Sequence, residues 1–196
     1  YGLNDRGYST HAAFFDYDGD GDLDCYVLNN SFKQIRKFDY RQDLRSQRDS
    51  LGGDKLLRND GNRFTDVSAQ AGIFGSEIGF GLGVSVADLN GDAWPDLYVS
   101  NDFFERDYCY LNNRNGTFRE VLTSQVGHLS LNSMGADVAD LNNDSRPDVF
   151  TTDMLPEAEG RRKTMIRYDD YDVQGMKAQA TYHLQYVQNA LQMNLG

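Results

Sequence analysis

Short runs of alternating apolar and polar side chains recur along this chain in sets. One set comprises His11–Phe15, Leu23–Leu28, Lys55–Asn59 and Arg63–Val67. A second comprises Gly83–Ala87, Asp96–Ser100, Tyr108–Asn112 and Thr117–Val121. A third begins with Gly135–Ala139 and Asp148–Thr152 and reaches only Ala190–Asn194. Alternation over four to eight residues predicts half-buried strands. The turns Asp60-Gly61-Asn62 and Asn115-Gly116 offer the positive φ that tight hairpins demand, and so join the last two strands of a set. Four strands, then four more, is the pattern of propeller blades. The expected fold class is therefore all-β: a partial β-propeller of four-stranded antiparallel blades. The expected repeats are 1–75, 76–126 and an incomplete 127–196. Insertions at 31–53 and 154–187 separate the second and third strands of the first and third repeats, and the latter is expected to hold a short helix over 168–179. Closed propellers need about four to eight blades. Two complete repeats and most of a third are thus expected to be part of a larger protein.

The link between the first two strands of each set is the chain's main chemical feature. The first link reads Asp16-Tyr-Asp18-Gly-Asp20-Gly-Asp22-Leu-Asp24, the second Asp88-Leu-Asn90-Gly-Asp92-Ala-Trp94-Pro-Asp96, and the third Asp140-Leu-Asn142-Asn-Asp144-Ser-Arg146-Pro-Asp148. Side-chain oxygens fall at positions 1, 3, 5 and 9 each time. Carboxylates at this density repel one another unless a cation sits among them. A hard cation that takes six to eight oxygens in flexible geometry is Ca²⁺. The expected ligands are the side chains at those four positions and the position-7 carbonyls of Asp22, Trp94 and Arg146, for about three ions. An EF-hand is excluded, since it needs Glu at position 12 and flanking helices. Here position 12 is Val27, Val99 or Thr151, and strands flank the loop. Position 6 is Gly21 in the first loop but Ala93 and Ser145 in the others; position 4 is Gly19, Gly91 and Asn143.

Charge adds to this picture. The net charge is −11, from 30 acidic and 19 basic residues, and the loops alone hold 11 aspartates. The acidity is largely that of the loops, and three Ca²⁺ would bring the net to about −5. Nucleic acid is not an expected partner of such a chain. No apolar run approaches the roughly 20 residues that span a bilayer, and no signal peptide is legible. Cys25 takes the place held by Leu97 and Val149 in the other repeats, as a small apolar core residue would. Two free buried thiols are expected, with a bridge between repeats as the alternative. His11, His128 and His183 show no metal or triad spacing, and no phosphate loop or nucleophile elbow occurs. Basic residues gather in the insertions: Lys33, Arg36, Lys37, Arg41, Arg45 and Arg48, then Arg161, Arg162, Lys163 and Arg167. They read either as solvated loops or as a contact surface. Asn29-Asn-Ser31 and Asn115-Gly-Thr117 match the N-glycosylation pattern, and Asp49-Ser50-Leu51 a bacterial O-glycosylation pattern.

The stretches Phe80-Gly-Leu-Gly-Val-Ser-Val-Ala-Asp88-Leu-Asn90-Gly-Asp92 and Met134-Gly-Ala-Asp-Val-Ala-Asp140-Leu-Asn142-Asn-Asp144 resemble FG-GAP or VCBS repeats, the calcium-loop blades also found in integrin α chains. More narrowly, Asn101–Asn113 and Asp153-Met-Leu-Pro-Glu157 with Arg161-Arg-Lys163 resemble bacterial repeat proteins associated with the ASPIC/UnbV domain. The resemblance implies secretion or display at the cell surface, and a binding or scaffold role rather than an enzymatic one. The expected function is a calcium-stabilised extracellular binding or adhesion module whose partner is a protein or glycan, or other copies of itself. Two alternatives stand beside it: a structural subunit of an extracellular assembly, and a non-catalytic part of a secreted enzyme.

Overall fold

The structure, a computed structural model, describes residues 1–33, 44–164, 175–177, 179–180 and 182–196. The first sheet holds β1 (Ser9–Phe15), β2 (Asp24–Asn29), β3 (Lys55–Asn59) and β4 (Phe64–Asp66), in that spatial order and antiparallel throughout. The second repeats it with β5 (Gly81–Ala87), β6 (Asp96–Asn101), β7 (Tyr108–Asn112) and β8 (Phe118–Glu120). After a one-turn helix α1 (Leu122–Gln125) and a short strand β9 (Leu129–Ser130), the third sheet is built from β10 (Gly135–Ala139), β11 (Asp148–Thr152) and β13 (Ala190–Gln192). Between β11 and β13 come helix α2 (Glu159–Thr164) and strand β12 (Gln185–Tyr186), which runs parallel to β9. The all-β blade architecture expected from the alternation is the one observed.

The first strands of the sheets stand side by side, β1 against β5 and β5 against β10. Thr10 Oγ1 donates to Gly81 O across the first seam (2.7 Å), and Ser85 Oγ donates to Ala136 O across the second (3.0 Å). Gly81 is required by this approach, because a Cβ there would collide with the Leu28 side chain. The second strands lie innermost in the packing: every residue of β2 and of β6 is buried. Tyr26, Leu28, Leu56, Leu97, Val99 and Tyr110 join the first two blades in one apolar core, and Tyr98, Leu122, Leu129 and Val149 join the second to the third. Each fully buried Leu contributes roughly 1.5–3 kcal/mol.

The insertions are partly drawn into the fold. Of the helix expected over 168–179, residues 175–177 and 179 are helical, and the rest lies outside the described residues. A 3-10 turn at Leu44–Ser46 seats Leu44 with Ile78, Phe80, Phe104 and Tyr182. Arg45 donates to both carboxylate oxygens of the fully buried Glu105 (2.7 and 3.0 Å) and lies 4.6 Å from the Tyr182 ring centre. Arg48 donates to Ile73 O and Asp54 O, both at 2.7 Å. The contact-surface expectation is corrected for these two: their charges are spent inside the chain. Arg36, Lys37, Arg41 and Arg167 lie outside the described residues. Cys25 and Cys109 are free thiols, the first buried and the second half-buried. Burial pushes them up to about 11 and about 12, which suits packing rather than reactivity.

Candidate metal centre

The three acidic loops close on the same register. Phe15 pairs with Asp24, Ala87 with Asp96 and Ala139 with Asp148, so the position-9 aspartate opens the second strand opposite the residue that ends the first. All three of these aspartates are fully buried. Each accepts two backbone N–H bonds. Asp24 takes those of Tyr17 (3.0 Å) and Asn59 (2.8 Å). Asp96 takes those of Leu89 (2.9 Å) and Asn112 (2.7 Å), and Asp148 those of Leu141 (3.0 Å) and Asn194 (2.8 Å).

The other positions repeat as well. The position-1 carboxylate accepts from the backbone at positions 5 and 6: Asp16 from Asp20 and Gly21, Asp88 from Asp92 and Ala93, Asp140 from Asp144 and Ser145. Position 5 accepts from the backbone at position 7: Asp20 from Asp22 (3.0 Å), Asp92 from Trp94 (2.9 Å) and Asp144 from Arg146 (2.9 Å). This winding needs positive φ at positions 4 and 6. Gly19, Gly91 and Asn143 supply the first, at 77°, 76° and 59°. Gly21 (93°), Ala93 (67°) and Ser145 (70°) supply the second, so two loops hold a left-handed conformation that L side chains disfavour.

Loop 1 is the one that gathers its acids. One oxygen each of Asp16, Asp18 and Asp24 lies within 4.8 Å of the others. Among the described residues no other three acidic, His or Cys side chains approach this closely. Asp18 Oδ1 and Asp22 Oδ1 are buried and lack a hydrogen-bond partner. Burial first, then the Asp20 carboxylate, raises Asp18 above its ordinary range; Asp22 is raised likewise. Burial pushes Asp24 up to about 6 despite its two N–H donors, and the Asp18 and Asp20 carboxylates add to it. A divalent cation would reverse these penalties, because it is the strongest local charge in such a site. Oxygen-only donors, with the expected ligand atom Asp18 Oδ1 orphaned and Asp22 Oδ1 orphaned beside it, fit a hard cation.

Loops 2 and 3 differ at position 3, where an amide stands for a carboxylate. Asn90 Nδ2 donates to Asp92 Oδ2 (3.1 Å), and Asn142 Nδ2 to Asp144 Oδ2 (3.0 Å). Arg114 sits on Asp92 as well, Nε to Oδ2 at 3.0 Å. Burial works to raise Asp92, but the Trp94 N–H and the Arg114 guanidinium bring it below the ordinary value. Burial pushes Asp96 up to about 6. The two loop side chains at position 7 turn away to other tasks. The Trp94 ring covers Gly19 of loop 1, where a Cβ would lie 2.8 Å from it. Arg146 Nη1 donates to Leu195 O (2.8 Å).

Sequence reading missed one residue of the site, the asparagine that ends each third strand or follows it. Asn59, Asn112 and Asn194 donate through their backbone to the position-9 aspartates. They also donate through Nδ2 to the position-8 carbonyls of Leu23 (3.2 Å), Pro95 (3.3 Å) and Pro147 (3.3 Å). Each accepts at Oδ1 from the backbone two residues on, at Gly61, Arg114 and Gly196. The signal was present as Asn59-Asp-Gly61, Asn112-Asn-Arg114 and Asn194-Leu-Gly196 at one place in each repeat.

Antiparallel blades side by side, each with an acidic oxygen-lined loop between its first two strands, define a β-propeller segment. Residues 39–99 and 88–151 match the FG-GAP-like repeat, and the chain belongs to that family. It is also similar to integrin alpha-7 of Homo sapiens, at 38% identity over 82 residues, or 36% of this chain and 7% of that protein. The chain thus spans less than a tenth of the curated relative it matches. Those matches carry the broad family; the narrower ASPIC/UnbV likeness rests on the quoted sequence stretches alone.

Proposed function

We propose that this chain is a calcium-stabilised blade segment of an extracellular or surface-displayed protein, and that it serves as a non-catalytic binding or adhesion module. The observation that carries it is loop 1, where three carboxylates converge and two buried oxygens lack partners. Ca²⁺ would be held there by Asp16, Asp18, Asp20 and Asp24 with the Asp22 carbonyl. Loop 2 would use Asp88, Asn90, Asp92, Asp96 and the Trp94 carbonyl. Loop 3 would use Asp140, Asn142, Asp144, Asp148 and the Arg146 carbonyl. The shared hydrogen-bond pattern of the loops supports extending the site from the first to all three, in repeats read as 1–75, 76–126 and 127–196. The ion fixes the turn between two strands and so stabilises by linkage. A protein partner at the cell surface fits the integrin likeness, and a glycan or another copy of the chain stands beside it as a further proposal; among the described residues no helix is long and apolar enough to cross a membrane.

Calorimetric titration of the chelator-treated chain with CaCl2 tests the cation reading. Three sites are expected, with loop 1 lost in Asp18→Ala. No heat and no change in the melting curve would refute it.

A further inference from the structure

The asparagines that close each loop do more than hold their own aspartate. Asn112 donates from its backbone to Asp96 Oδ1 of loop 2 (2.7 Å) and from Nδ2 to the carbonyl of Tyr17 in loop 1 (2.8 Å). Asn194 does the same one blade later, from its backbone to Asp148 Oδ1 of loop 3 (2.8 Å) and from Nδ2 to the carbonyl of Leu89 in loop 2 (2.8 Å). Tyr17 and Leu89 both hold position 2, and their N–H groups bind the position-9 aspartate of their own loop. A path that alternates hydrogen bonds with short stretches of backbone therefore runs from Asp24 through Tyr17 to Asn112 and Asp96, and on through Leu89 to Asn194 and Asp148. Both asparagines are removed from bulk water on this path: Asn112 is 1% exposed, and Asn194 is half-buried. Trp94 adds a second tie, since its own loop is the second and its ring covers Gly19 of the first.

We infer that Asn112 and Asn194 are positioning residues that couple neighbouring cation loops, so that an ion in one loop raises the affinity of the next. This rests on the calcium reading above. The physical reason is that a bound ion would hold the position-9 carboxylate in place and with it the turn at position 2, whose N–H that carboxylate accepts. Once one loop is ordered, its position-2 carbonyl is already in place to receive the amide of the following asparagine. That amide in turn holds the next position-9 carboxylate for its ion. The second ion then finds less disorder left to remove, which is positive cooperativity in the usual linkage sense. Asn59 makes the same bonds to Asp24, Leu23 and Gly61 within the first blade.

The test is a mutant cycle on the whole chain. CaCl2 titrations by calorimetry, and TbCl3 titrations read by luminescence, with Asp18→Ala and Asp92→Ala compared to assign the loop 1 and loop 2 signals that Trp94 sensitises together, give the affinity of loop 2 with loop 1 intact and with Asp18→Ala. Loss of loop 1 is expected to weaken loop 2 about five-fold, at the lower end of ordinary coupling. In Asn112→Ala that dependence is expected to fall to about one-fold, with the β-sheet signal in circular dichroism retained. Asn59→Ala is expected to weaken loop 1 alone and leave the five-fold dependence in place. Asn194→Ala is the independent repeat, and it should uncouple loop 3 from loop 2 in the same way. Dependence that survives in both Asn112→Ala and Asn194→Ala overturns the inference, as do sites that are independent in the unsubstituted chain. If the unsubstituted chain binds neither ion, the calcium reading falls and this inference with it; if ions bind independently, the calcium reading stands and only the coupling fails.

Discussion

Tyr26 and Asp54 form a buried pair that the third repeat has exchanged for another. Tyr26 Oη donates to Asp54 Oδ2 (2.8 Å), while Asp54 Oδ1 accepts from the backbone of Asn29 (2.9 Å). Tyr98 and Asp107 repeat this, with bonds of 2.8 Å from the hydroxyl and 2.9 Å from Asn101 N. In the third repeat the residue two beyond the position-9 aspartate is Phe150. There Asn189 takes the acid's place and accepts from Asp153 N (2.8 Å). Hydroxyl and charge have gone together. Tyr26→Phe alone takes from the buried Asp54 carboxyl one of its two donors and, above about pH 7 where that carboxyl is ionised, should cost about 2 kcal/mol, in the range for bonds to charged groups. Tyr26→Phe with Asp54→Asn should cost less than about 1 kcal/mol, because the amide still receives Asn29 N and no charge is left unpaired. The two changes then couple by more than about 1 kcal/mol. A pH series adds a second readout. Burial pushes Asp54 up to about 7, well above the ordinary carboxylate value of 3.8. A raised carboxyl binds its proton more tightly in the folded state, so its contribution is full below about pH 4 and is lost as pH rises through 7. Between pH 5 and 7 this amounts to roughly 2–3 kcal/mol at most. Asp54→Asn should therefore gain on the unsubstituted chain as pH rises over that window. Urea denaturation in saturating calcium measures both quantities. Equal losses for the single and double variants, or a variant advantage that is flat with pH, would refute the reasoning.

Two further outcomes follow from the geometry. Ala93→Gly removes a left-handed alanine and should raise stability by up to about 1 kcal/mol, as should Ser145→Gly; unchanged melting midpoints in both would contradict the strain argument. Arg45→Ala leaves the Glu105 carboxylate buried and alone and should cost about 3 kcal/mol, whereas Arg45→Met with Glu105→Leu should fold with little loss; a mild Arg45→Ala would show the pair to be a surface feature.

Much of this architecture was legible from the sequence because its determinants are local. Strand period, Asn-Gly turns and the Asp-rich loops each act within about ten residues. The eleven strands of the three blade sheets were accordingly placed to within one or two residues at most ends, as with β4 at Phe64–Asp66 against the expected Arg63–Val67. What escaped was set by distance along the chain. The parallel pairing of Gln185 with Leu129 joins two-residue strands with almost no pattern of their own. Arg45 read as a loop charge because its partner, Glu105, lies 60 residues on. Asn112 read as a strand end because the carbonyl it serves belongs to Tyr17 in another blade. The loop sequences showed which oxygens were available, but the convergence of Asp16, Asp18 and Asp24, and the amide contacts that distinguish loops 2 and 3, needed the folded chain.

The central proposal is that calcium in the acidic loops stabilises these blades. Its most direct test is the thermal unfolding of the chelator-treated chain, followed by circular dichroism, without calcium and with calcium raised in steps. Each occupied site stabilises by about 2.7 kcal/mol at a hundred-fold excess over its Kd. The midpoint should climb with calcium over the whole titration, return on adding chelator, and climb less in Asp18→Ala. A midpoint that is the same in chelator and in saturating calcium would contradict the account.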